Sequence, residues 1–198
     1  MNRIRHVFAS LLLTLVSALS VTSVAHAAEI EGLSFDDRIR LADSDIVLNG
    51  VGLRAVAWFK GYAAGLYLPQ KVSTAEAALA AKGPKRLRMK MMVEVESKEF
   101  VKAFEKGMKR NLSEAERAEM ADCIARFDRT VAALAVLKKG DAVDLDWLPE
   151  RGFVLSVNGQ PKGEPFPGEA FYAAVLKIYI GNEPVDKKLK AGLLGQAS

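Results

Sequence analysis

Hydrophobic and polar positions alternate most clearly from Arg86 to Glu94. Leu87, Met89, Met91 and Val93 fall on one side, and Arg86, Arg88, Lys90 and Glu94 on the other, with Met92 the exception. A period of two marks a half-buried strand, and its basic positions read as the solvated face. Weaker alternation places short strands at Phe35 to Leu41 and Asp45 to Leu48, and Asn49-Gly50-Val51-Gly52 then reads as a turn. Leu53 to Leu68 is rich in aromatic and aliphatic residues and has strand character, as one long strand or as a hairpin bent near Ala55 to Ala57. Gly61 and Gly65 within it are candidate bulges or points of close backbone approach.

Helical spacing takes over elsewhere. Ser73 to Lys82 is a short Ala-rich helix, capped by Ser73 or Thr74 and ended by Gly83-Pro84. Ser97 to Arg110 puts Phe100, Val101, Phe104 and Met108 on one side. Ser113-x-x-Glu116 is a capping box, and the longest helix is expected behind it, with Ala118, Ala121, Ile124, Phe127, Val131, Leu134 and Leu137 three or four residues apart and Gly140 as its stop. Strands resume at Ala142 to Leu148. Phe153 to Val157, Asn158-Gly159 and Gln160 to Pro165 read as a hairpin, because Asn-Gly suits a type I′ turn. Gly168 to Ile180 and Asp186 to Leu194 are the last helices. Strands, helices, strands, helices, without regular βαβ alternation, predict an α+β domain: an antiparallel sheet with helices on one face.

The first 27 residues follow a different pattern. Arg3, Arg5 and His6 precede an apolar run from Val7 to Val24, and Ala25-His26-Ala27 offers a small-x-small cleavage pattern. They are expected to be a signal peptide, leaving a single domain at 28–198, exported, and periplasmic if the host is Gram-negative. A membrane anchor is the rival reading of the same run; no later run approaches spanning length, so no stable membrane span is expected after cleavage. Cleavage removes both histidines, His6 and His26, and leaves Cys123 as the sole cysteine. Such a chain builds no Ser-His-Asp triad, no Cys-His dyad, no His or multi-Cys zinc site and no c-type haem attachment, and no motif calls for a cofactor. Cys123, in a helical stretch, reads as a small buried hydrophobe. The formal charge of +4, smaller once Arg3 and Arg5 are gone, is too weak to argue for nucleic acid.

Several segments, in order, resemble the chalcone isomerase-like family. They are Leu48 to Arg54 (LNGVGLR), Phe59 to Leu68 (FKGYAAGLYL), Lys139-Gly-Asp141 with Val157-Asn-Gly159, and Phe171 to Gly181 (FYAAVLKIYIG) with the tail Pro184 to Gly195. The resemblance implies an open-faced β-sandwich, a curved antiparallel sheet with helices packed on one face. It also implies a ligand cleft. The family holds plant enzymes that cyclise chalcones, fatty-acid-binding members and non-catalytic members. The enzymes use an Arg after the Gly-x-Gly turn, matched here by Arg54. At their strand Thr this chain has Tyr62, which is similar to the fatty-acid-binding members, where Arg and Tyr hold the lipid carboxylate. Ala115, Asp122 and Ile178 fall where the enzymes carry Tyr, Asn and Thr. Only the Arg is retained from the enzymatic set, which sets the expectation against chalcone cyclisation.

The chemistry of Arg54 fits a carboxylate anchor. Its guanidinium is permanently charged and presents a fork matched to two carboxylate oxygens. In an apolar cleft it requires an acid, internal or from a ligand. Tyr62 could donate a second hydrogen bond, Lys60 further positive charge, and Trp58, Phe104, Met89, Met91 and Met108 an adaptable apolar wall. Arg54, Trp58, Lys60 and Tyr62 share strand parity unless a hairpin or a bulge at Gly61 intervenes. The leading expectation is an exported, non-catalytic protein that binds a small amphipathic anion such as a fatty acid through Arg54, Tyr62, Lys60 and Trp58. The alternatives are an isomerase or intramolecular lyase acting on an unsaturated carbonyl compound, with Arg54 as electrophile, and an accessory role without a small ligand.

Overall fold

The computed structural model describes residues 27–56 and 58–196; the expected signal segment lies outside the described residues except for Ala27, which opens the first strand. A hairpin of β1 (Ala27–Ile30) and β2 (Leu33–Asp36) precedes β3 (Arg38–Leu41), β4 (Ser44–Val56) and β5 (Phe59–Leu68). Helix α1 (Ala75–Ala80) leads to β6 (Lys85–Met91) and β7 (Val95–Glu96). Then come α2 (Ser97–Asn111), α3 (Glu114–Glu119), α4 (Ala121–Ala132) and β8 (Val136–Leu137). The chain closes with β9 (Ala142–Leu148), β10 (Gly152–Val157), β11 (Gln160–Pro161), α5 (Glu169–Ile180) and α6 (Lys187–Leu193). Seven strands form one curled antiparallel sheet in the order β11-β10-β9-β6-β5-β4-β3. The expected α+β class, with a curved antiparallel sheet and helices on one face, is what the chain adopts.

Alternation along the strands divides the side chains between two apolar layers. Toward the helices, Leu87, Met89 and Met91 of β6, Leu145 of β9 and Leu155 of β10 pack with Phe104, Met108, Phe127 and Val175. Toward the other face, Ile46, Leu48, Ala63, Tyr67 and Val154 form a second layer with Phe35 of the β1–β2 hairpin. Gly65 makes room for it: a Cβ there would stand 2.7 Å from the Phe35 ring. Burying an aromatic side chain of this kind contributes roughly 2–3 kcal/mol, so the hairpin is a lid on the sheet rather than a loose arm.

Local signals hold where local chemistry decides. Thr74 caps α1, Ser113 and Glu116 form the reciprocal capping box of α3, and Asn158 and Gly159 take φ of 51° and 75° at the β10–β11 turn. Three expectations change. Asn49 to Gly52 is not a turn but runs through β4, with a bulge between Leu48 and Gly50. Its glycines serve a close approach, since a Cβ on Gly52 would stand 2.6 Å from the Leu189 carbonyl oxygen of α6. The expected longest helix is broken at Met120 into α3 and α4 and stops at Ala132, while Val136 and Leu137 form β8, which pairs with β7; among the described residues the longest helix is α2. A left-handed Ala135 (φ 59°) redirects the chain there. Finally, Arg86 and Arg88 are not a solvated face. They grip Asp146 and Asp144 of β9 in two bidentate pairs, with nitrogen–oxygen distances of 2.6 to 2.8 Å, and both carboxylates are buried.

Candidate functional site

A cavity of about 770 Å³ opens between the curled sheet and the helices. Its floor is Met89, Val143, Leu145 and Leu155 from β6, β9 and β10; α2, α4 and α5 supply Phe100, Phe104, Phe127, Val131, Val175 and Ile178. The lining is chiefly apolar, and the volume suits a small amphipathic molecule. Phe104 and Phe127 lie with ring centroids 4.5 Å apart and tie α2 to α4 across the cavity wall. The polar groups are few: Arg54, Tyr62 and Tyr179 inside, with Glu94, Glu96, Lys98 and Glu99 toward the mouth.

Arg54 and Tyr62 meet because of one bulge. They stand opposite each other on β4 and β5, whereas the next pair toward the hairpin tip is Ala55 with Lys60. Gly61 is the extra residue, and its insertion reverses the parity of everything beyond it. The expectation that Trp58 and Lys60 share the face of Arg54 and Tyr62 therefore does not hold. Neither lines the cavity: Trp58 is 93% exposed at the hairpin tip, and Lys60 pairs with Glu31 at 2.6 Å. Phe59 lines the mouth instead. Of the expected apolar wall, Met89 and Phe104 line the cavity, while Met91 and Met108 are buried in the surrounding core.

Of the two sources of an acid for Arg54, the structure shows the internal one. Its Nη1 donates to Asp186 Oδ2 at 3.2 Å and to the Ala55 carbonyl oxygen at 2.9 Å. Asp186 is already committed, since its Oδ1 accepts from the Lys188 and Leu189 amides and caps α6. Nε and Nη2 of Arg54 have no acceptor among the described residues, which leaves one edge of the fork for a ligand.

The two tyrosines are donors, not bases. Burial, with Tyr179 nearby, pushes the Tyr62 hydroxyl well above the ordinary tyrosine range, and the Arg54 charge counters only part of this. Burial raises Tyr179 as well. Both stay protonated at neutral pH, and neither hydroxyl has a hydrogen-bond partner among the described residues. Tyr179 escapes a reading of the sequence because α5 is apolar on nearly every side, so no face of it stands out. Of the three positions where the plant enzymes carry polar groups, Ile178 lines the cavity, and Ala115 and Asp122 are exposed outside it. Cys123 is partly buried against the core. Among the described residues no group of three or more His, Cys, Asp or Glu is placed to hold a metal ion, and no helix is long and apolar enough to cross a membrane.

No curated protein sequence matches the chain. Among solved structures it is similar to a fatty-acid binding protein of Arabidopsis thaliana, with a TM-score of 0.69 over 85% of this chain and 96% of that one. At 18% identity the likeness is one of fold. The match to the chalcone isomerase-like family model runs over residues 27–195, from the first described strand past the end of α6. A match of that span on a shared sheet architecture makes this chain a member of the chalcone isomerase-like family.

Proposed function

We propose that this is an exported, non-catalytic member of the family that binds a small amphipathic carboxylate such as a fatty acid. The observation that carries the reading is the free edge of Arg54, beside the unpartnered Tyr62 hydroxyl, at the polar end of an otherwise apolar 770 Å³ cavity. A carboxylate there would take a charge-assisted bond from the guanidinium and another from the phenol, while its chain replaces water against Phe100, Phe104 and Phe127. The similar Arabidopsis protein is a fatty-acid binding protein, which supports the same ligand class.

The isomerase reading has less behind it. A raised phenol in Tyr62 is a poor general base, and Lys60 is held by Glu31 outside the cavity. The test is native mass spectrometry of protein purified from its own host, with titration of delipidated protein by palmitate. A bound acid that Arg54→Ala loses, with Arg54→Lys partly retaining it, supports the proposal. Because Arg54 also contacts Asp186, the thermal midpoint of each variant is measured in parallel. A folded wild-type protein that takes up no lipid or aromatic acid would overturn it, and export is checked by sequencing the N-terminus of the mature protein.

A further inference from the structure

Trp58 and Phe59, 93% and 52% exposed, are the two large hydrophobic side chains that stand out from the described surface, and they are neighbours at the tip of the β4–β5 hairpin. A single exposed aromatic is ordinary, but two at the tip of a projecting hairpin form a wedge that no other described residue covers. The wedge sits at the site, because Phe59 also lines the cavity mouth.

The other side of the mouth is α2. Lys98 and Ala103 line it, and a smaller groove of about 260 Å³ continues from it along the helix, past Lys102, Lys106 and Arg110, with Arg54, Glu99, Ala103 and Val185 common to both hollows. Five bases (Lys98, Lys102, Lys106, Lys109 and Arg110) face two acids (Glu99 and Glu105) on this helix. Lys98 and Lys102 pair with Glu96 and Glu99, whereas Lys106, Lys109 and Arg110 have no carboxylate partner among the described residues. Three acids near this surface have no basic partner among the described residues: Glu94 at the mouth, Glu105 on α2 and Glu183 in the groove.

We infer that this rim docks on a bilayer surface bearing anionic headgroups, with Trp58 and Phe59 entering the interfacial layer and the bases of α2 lying over the headgroups. Tryptophan prefers that layer, where its ring is buried and its N–H stays wet. Lysine and arginine reach phosphates on long apolar stems, and basic residues next to an aromatic wedge add charge attraction to hydrophobic insertion. A protein partner would also value the wedge. The bilayer is favoured because Phe59 of the wedge and Lys98 of α2 both line the cavity mouth, so that an acyl chain could pass between lipid and cavity without crossing water. That purpose rests on the proposed fatty-acid reading; the docking surface itself rests on the exposed aromatics and the bases.

The experiment is flotation of the full protein with vesicles of phosphatidylcholine alone and of phosphatidylcholine with one third phosphatidylglycerol. It is paired with tryptophan emission, to which Trp147, buried on β9, adds a background that does not shift. Flotation and a blue shift with the anionic vesicles only, reduced at least fivefold in Trp58→Ser and in Lys106→Glu/Arg110→Glu, support the inference. Absence of flotation, which is what a protein-binding tip would give, overturns it, as does equal flotation of the variants. Displacement of a fluorescent fatty acid in vesicle-free solution is measured alongside. If it is retained while flotation fails, only the docking surface falls; if it fails while flotation holds, only the fatty-acid reading falls.

Discussion

Arg54 and Tyr62 face each other across the β4–β5 ladder on the helix side of the sheet, one residue pair before Gly61 puts the register out of step. The neighbouring β5–β6 ladder places Tyr62 opposite Met91, so the phenol stands between the cation and the apolar floor. Phe100 stacks on it from α2, with ring centroids 6.4 Å apart. A charged donor and a neutral donor are thus fixed side by side by backbone pairing, not by flexible loops, which keeps the ordering cost of binding low.

Removing only the Tyr62 hydroxyl separates binding from folding. The hydroxyl has no partner among the described residues, so Tyr62→Phe is expected to leave the urea midpoint unchanged or slightly raised. A hydrogen bond to a charged group is worth about 1.5–3 kcal/mol, so palmitate affinity should drop roughly tenfold to a hundredfold. Because the phenol is held above its ordinary range, wild-type binding should show no break from this group between about pH 6 and 9. Titration calorimetry of both proteins across that range checks the point; an unchanged affinity in Tyr62→Phe would take Tyr62 out of the site.

Asp186 holds two roles that two substitutions can part. Asparagine caps a helix about as well as aspartate, so Asp186→Asn should keep α6 while releasing Arg54 from its internal acid. Ligand affinity is then expected to rise roughly fivefold, the equivalent of about 1 kcal/mol for a partly buried pair. Asp186→Ala releases Arg54 too, but loses the cap at a cost of about 1 kcal/mol in stability. Displacement assays and denaturation curves on the pair should show affinity rising in both, and stability falling in both through the lost ion pair but further in the alanine variant, by the worth of the cap.

What can be read from the sequence is what short stretches decide for themselves. The β6 alternation, the Ser113 box and the Asn158-Gly159 turn each depend on residues within a few positions. Arg54 and Tyr62 are legible as candidates because the ordered family segments point to them. Two glycines in a row of four read equally as a turn or as room for a crossing helix, and only α6, more than 130 residues later, settles it for Gly52. The apolar stripe from Ala118 to Leu137 keeps helical spacing across the Met120 break and into a strand, so spacing alone hides the change. One inserted residue at Gly61 moves Trp58 and Lys60 out of the site, a one-position effect no periodicity resolves.

The basic face of β6 misleads for the same reason, since Asp144 and Asp146 lie nearly 60 residues away. Its pairs are buried enough to be costly when broken. Asp146→Ala leaves Arg86 without its bidentate partner, and the loss is expected at about 3–5 kcal/mol. The double variant Arg86→Met/Asp146→Leu removes both charges and fills the space with apolar atoms. It should cost less than the single change. Urea denaturation of the three proteins gives the comparison, and a double variant worse than Asp146→Ala would mean the pair stabilises beyond compensating its own burial.

Asp128, on α4, gives the fold a pH dependence whose sign is fixed by its surroundings. One carboxylate oxygen is buried without a hydrogen-bond partner among the described residues, and Glu105 of α2 stands nearby. Burial first, and the Glu105 charge second, push the Asp128 carboxyl up to about 6 from an ordinary value of 3.8. The folded chain then holds this proton more tightly than the unfolded chain, so ionisation works against folding. The penalty is absent below pH 3.8, grows as pH rises toward 6, and is complete above it. The group is only partly buried, so screening reduces the penalty to the order of 1 kcal/mol. Asp128→Asn should therefore raise the urea midpoint at pH 8 and leave it unchanged at pH 4, while Glu105→Gln should give a smaller gain of the same sign. An equal gain from Asp128→Asn at both pH values would show that the residue acts through packing between α2 and α4 instead of through its charge.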